Sequence, residues 1–106
     1  MSEIVSEFEF DAVVWQWQGD GPATWRFVTL PFDLTDEIDD LTTGRQGGFG
    51  SVKVEVTVGR TTWSTSVFPS KEQKSFILPM KAAVRKAEGL ADGDTARITL
   101  RLVDFT

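Results

Sequence analysis

Apolar and polar residues alternate with a period of two over several short runs, and each run predicts a strand with one buried face. Phe8, Phe10, Ala12 and Val14 alternate with Glu7, Glu9 and Asp11. Beyond Asp11 the second face also turns apolar, at Val13, Trp15 and Trp17, so that end of the strand is expected to be covered on both sides. After the turn residues of 19–22 (GDGP), residues 24–30 (TWRFVTL) read as a second strand. Val52, Val54, Val56 and Val58 alternate with Lys53, Glu55 and Thr57 in a third. Gly59-Arg60 turns it into a fourth over 61–68, an expected hairpin that Pro69-Ser70 ends. Residues 74–78 (KSFIL) give a fifth strand. In the sixth, Ala96, Ile98, Leu100 and Leu102 alternate with Thr95, Arg97, Thr99 and Arg101.

The period lengthens to that of a helix at two places. Asp33 is expected to cap a short helix with Leu34, Ile38 and Leu41 at i, i+4 and i+7. Its acidic early turns (Asp36, Glu37, Asp39, Asp40) suit the positive end of the helix dipole, and Gly44 is a natural stop. A second helix would place Met80, Ala83, Val84 and Ala87 on one face, with Gly89 just past its end. The two halves share a pattern. Leu30-Pro31 and Leu78-Pro79 are 48 residues apart, as are Trp15 and Trp63. Each half, about 8–58 and 61–103, reads strand, strand, Leu-Pro, helix, Gly, strand, which predicts a pseudo-dimer folded from one chain.

Four segments carry a resemblance: the strand end WRFVTLP, the loop and strand RQGGFGSVKVEV, the arm TTWSTSVFPS, and SFILPMKAAVRKAEGLADGD. Over nearly its full length the chain resembles the bacterial family known as the domain of unknown function numbered 1905. That resemblance implies a double-split β-barrel, here closed by six strands with two short helices, an architecture shared with the AbrB/MazE-like transcription factors and antitoxins. Those proteins show a similar closing motif, which reads here Val84-Arg85, Gly89-Leu90 and Gly93-Asp94. Glu88 stands where that group usually has leucine, and Pro79 lies two residues further upstream than its counterpart. They build the barrel from two chains, whereas this chain supplies both halves, so a monomer is expected.

Length and composition narrow the chemistry. At 106 residues the chain is expected to form one domain. Cys, His and Tyr are all absent, which removes disulfides, Cys/His zinc sites, thiol chemistry and the Ser-His-Asp triad. An enzyme is therefore not expected, and neither a metal nor a cofactor is called for. No run approaches the roughly 18 apolar residues of a membrane span, and the acidic start MSEIVSEFEF is unlike a signal peptide. A soluble, cytoplasmic protein is the expectation. Net charge is −5, with residues 1–55 at −8 and 56–106 at +3. Such a balance argues against a general nucleic-acid binder. The basic residues Lys71, Lys74, Lys81, Arg85 and Lys86 nonetheless cluster around a single acid, Glu72.

Three features are candidates for contact with a partner. The loop Gly44-Arg45-Gln46-Gly47-Gly48-Phe49-Gly50 is glycine-rich, but it follows a helix and precedes a strand, the reverse of a nucleotide-binding fingerprint. It is read as a loop at the barrel mouth, with Arg45, Gly47, Gly48 and Phe49 as its contact residues. Trp15, Trp17, Trp25 and Trp63 form either a stacking platform or core filling. The basic cluster, with Lys81 and Arg85 in its helix, meets either an anionic partner or the acidic helix at 36–40. Together these predict a non-catalytic binding module for a protein or a small ligand. The alternative is a divergent AbrB/MazE-like DNA-binding regulator, whose binding would be salt-sensitive.

Overall fold

The computed structural model describes residues 7–18, 21, 24–42 and 50–103. The first alternating run becomes β1 (Glu7–Val13), and the chain then passes through Val14 into the two-residue β2 (Trp15–Gln16). β3 (Arg26–Thr29) precedes α1 (Phe32–Thr42) and β4 (Val52–Val58). The second half repeats that order as β5 (Thr61–Ser70), β6 (Ser75–Pro79), α2 (Ala82–Glu88) and β7 (Thr95–Leu102).

The strands form an open half-barrel in the order β1-β7-β4-β5-β6-β3-β2, and every ladder among the described residues is antiparallel. Exchanging the two halves exchanges the ladders: β1·β7 corresponds to β4·β5, and β2·β3 to β5·β6. Two features of the expected closed six-stranded barrel are corrected. The strand count rises to seven because the first run divides at Val14. Val14 still exchanges backbone hydrogen bonds with the start of β7, through its N–H to Asp94 O and its carbonyl to Gly93 N–H, both at 2.9 Å. The next residue, Trp15, already pairs with Phe27 of β3. β1 and β2 therefore lie at opposite ends of the strand order, and among the described residues no ladder joins them.

β5 behaves in the same way without breaking. Its first part, to Val67, pairs with β4, and Phe68, Pro69 and Ser70 pair with β6. The strand was expected to stop before Pro69, since proline donates no hydrogen bond. Beyond Val67 it is laddered on one side only, where proline is tolerated. The hairpin at Gly59-Arg60 is as expected, with Val58 opposite Thr61 and a left-handed Gly59 at φ 58°.

The inward faces meet in one core. Phe8, Phe10, Val14, Val54, Val56, Ile98 and Leu100 come from one group of ladders, and Val28, Leu30, Phe76 and Leu78 from the other. Burying each such side chain stabilises the fold by about 1.5–3 kcal/mol. α1 covers part of this core through Ile38, fully buried, with Leu34 and Leu41 packed beside it. It begins before the expected cap: Asp33 lies in its first turn and accepts the Leu34 N–H at 3.0 Å. Gly44 falls outside the described residues. α2 docks more lightly. Met80 and Val84 are buried, but Ala83 and Ala87, expected on the same face, are exposed, because a helix of seven residues presents little more than one inward position. Gly89 closes it in the left-handed conformation at φ 65°, with Leu90 N–H donating to Arg85 O at 2.8 Å.

The outer face of β1, β7, β4 and β5 is polar. Arg97 pairs with Glu9 at 2.9 Å and Asp11 at 3.4 Å, and Arg101 with Glu55 at 3.7 Å. Hydrogen bonds, first to Glu9 and then to Asp11, hold the Arg97 guanidinium above its ordinary range.

Candidate functional site

β3 and β6 are apolar on both faces, unlike the strands on the polar side of the molecule. Val28, Phe76 and Leu78 point into the core, which leaves Phe27 and Ile77 on the opposite face. Directly opposed residues share a face in an antiparallel ladder. The register therefore brings Trp15, Phe27 and Pro79 together in one row, and Thr29, Ile77 and Phe68 in the next. Phe27 and Ile77 are only 9% and 5% exposed, yet neither belongs to the main core cluster. They form the floor of a second apolar surface.

Tryptophans cover that floor from the side. Trp17 lies 5.4 Å from Phe27 and 6.1 Å from Trp25, tilted at 54° and 59°. Trp15 stacks beside them, 5.4 Å from Phe27, and its Nε1–H donates to Thr29 Oγ1 at 2.9 Å. That hydroxyl in turn donates to Gln73 Oε1 at 3.0 Å. Trp25 and Phe68 remain 46% and 40% exposed, so the cover is incomplete. The result is a groove of about 620 Å³ lined by Trp17, Trp25, Phe27, Phe68, Ile77 and Met80, together with Arg26, Lys81 and Arg85. Volumes of this size are typical of small-molecule sites.

The polar residues of the groove are fixed by the backbone around them. Arg85, half-buried, donates from Nε to Met80 O at 3.0 Å and from Nη2 to Thr24 O at 3.3 Å, which ties the segment carrying Trp25 to α2. Arg26 donates from Nη1 to Trp25 O at 3.1 Å, and its Nε forms an ion pair with Asp92. Lys81 is exposed at the start of α2 and makes no capping hydrogen bond.

Of the residues singled out from the sequence, Lys81 and Arg85 therefore meet at one site. Arg45, Gly47, Gly48 and Phe49 lie outside the described residues. The basic cluster divides: Lys71 and Lys74 share a different hollow with Asp36 and Asp39, between α1 and the β5–β6 turn. The tryptophans divide as well. Trp17 and Trp25 line the groove and Trp15 adjoins it, whereas Trp63 packs against the core with its Nε1 lacking a hydrogen-bond partner among the described residues. Sequence reasoning missed Phe27, Phe68, Ile77 and Met80 as site residues. For Phe27 and Ile77 the signal was present in the runs RFVT and SFIL, each apolar at adjacent positions and so on both faces. Among the described residues no helix is long and apolar enough to cross a membrane, and no three acidic side chains gather where they could hold a metal ion.

In comparison with protein families, residues 10–100 match the model described as domain of unknown function, DUF1905. Comparison with curated proteins gives no match.

Proposed function

Since the chain belongs to the DUF1905 family, whose description assigns no activity, we propose from the site itself that it is a non-catalytic binding module taking a small ligand in the aromatic groove. One observation carries this reading. Phe27 and Ile77 are buried on the face of the sheet turned away from the core, under a cover that leaves two large aromatic faces half open. Such a surface gains further apolar burial only when something fills the groove. The absence of His, Cys and Tyr from the chain supports a binding role over an enzymatic one.

The module acts as a monomer, supported by ladders that exchange between the two halves of one chain. The glycine-rich loop with Arg45 and Phe49 remains its second expected contact segment. The division of basic residues between two hollows weakens the DNA-binding alternative, which calls for one positive face.

A thermal-shift screen of small organic compounds tests the proposal. A ligand present at a hundredfold excess over its Kd stabilises the native state by about 2.7 kcal/mol, a clear rise in Tm. The expected result is a set of stabilising compounds whose effect disappears in Trp25→Ala. Stabilisation that survives both Trp25→Ala and Phe68→Ala would place the binding elsewhere and overturn the reading.

A further inference from the structure

We infer, resting on the groove as the binding site, that its ligand is a small organic anion: a flat apolar ring system bearing one carboxylate or phosphate head. The groove reverses the charge of the molecule around it. The chain carries 16 acidic residues against 11 basic, yet among the described residues the charged side chains lining the groove are Arg26, Lys81 and Arg85, with no acid beside them.

These cations are not equally engaged. Arg26 has its charge met by Asp92. Arg85 spends two donors on the neutral carbonyls of Met80 and Thr24, which position the guanidinium without neutralising it. Neither Arg85 nor Lys81 has a carboxylate partner among the described residues. A guanidinium retaining free donors beside an ammonium group is suited to an oxyanion, since charge-assisted hydrogen bonds are about twice as strong as neutral ones. Apolar walls lower the local dielectric and lengthen the reach of both charges.

The rest of the ligand follows from the walls. Trp17, Trp25 and Phe68 offer flat faces, and flat rings stack against such faces at offset or tilted geometries. The volume of about 620 Å³ holds a ring system with its head group. A cationic ligand would meet like charge, and a neutral one would leave Lys81 and Arg85 uncompensated.

Four probes on one ring system separate the contributions of head-group charge and apolar ring: naphthalene-2-carboxylate, 2-naphthyl phosphate, naphthalene-2-carboxamide and 2-naphthylmethylammonium. Each is titrated into the isotope-labelled full chain while the indole N–H resonances of Trp17 and Trp25 are followed. The expected result is that at least one anion binds about tenfold more tightly than the carboxamide, with the ammonium compound weakest. The better of the two anions identifies the head group. Lys81→Gln, at an exposed site with no hydrogen bond to lose, should weaken the anion about fivefold and leave the carboxamide unchanged. Equal affinity for anion and carboxamide would overturn the charge inference while leaving the binding module intact. No response at Trp17 or Trp25 to any probe would overturn both.

Discussion

Trp15 and Trp63, 48 residues apart, show how local satisfaction decides what a side chain contributes. Trp15 donates to Thr29 Oγ1, whereas the Trp63 indole N–H is buried with no partner among the described residues. A buried orphan of this kind costs about 1–3 kcal/mol, and removing it offsets part of the ring area lost on truncation. Trp63→Phe should therefore cost less than Trp15→Phe, by about 1 kcal/mol or more, in urea unfolding; equal costs would show that the orphaned N–H is of no consequence. Gly59 gives a second residue-level test. Its φ of 58° is strained for any other residue, and a Cβ there would overlap Glu88 Oε1. The same carboxylate receives the Thr61 hydroxyl at 2.7 Å, so Glu88 fastens α2 to the β4–β5 hairpin. Gly89 has a similar φ of 65° but open space around it. Gly89→Ala should cost the backbone strain alone, about 1–2 kcal/mol, and Gly59→Ala that plus the displaced hydrogen bond. Glu88 thus has a structural role that the sequence alone did not disclose.

At the scale of elements, alternation located strands well wherever one face meets solvent. β4 and β7 read directly from Val52–Val58 and Thr95–Leu102, because each has a polar face to contrast with the buried one. The division of the first run at Val14 was not legible. Val13, Val14, Trp15 and Trp17 carry no turn residue, and the division arises from two different partner strands. Helix α1 was placed by Leu34, Ile38 and Leu41, and among these Ile38 alone is fully buried. A buried hydroxyl network adds to that anchor. Ser75 donates to Leu30 O at 2.7 Å and bonds Thr35 Oγ1, which also accepts the Phe76 N–H at 3.2 Å. Ile38→Ala should accordingly cost about 2–5 kcal/mol in global unfolding. A loss below 1 kcal/mol would mean that α1 is held by the hydroxyl network and not by its apolar anchor.

At the scale of the whole molecule, the two faces of the half-barrel differ in kind. The outer side of β1, β7, β4 and β5 carries crossed ion pairs such as Arg97 with Glu9 and Asp11, fully solvated and ordinary for a surface. The outer side of β2, β3, β6 and the end of β5 carries the aromatic groove. Lys81 and Arg85 could be picked from the sequence by charge, and Trp17 and Trp25 by residue type. Their convergence could not, because it depends on a register that sets β2, β3, β6 and β5 side by side from both halves of the chain. Binding is expected at this groove. Residue-resolved NMR of the labelled chain, titrated with the stabilising compounds of a small-molecule screen, tests it most directly. The expected shifts are concentrated at Trp17, Trp25, Phe68, Ile77, Lys81 and Arg85, and absent from the polar face around Arg97 and Arg101. Shifts centred on that polar face, or on the hollow of Asp36, Asp39, Lys71 and Lys74, would contradict it.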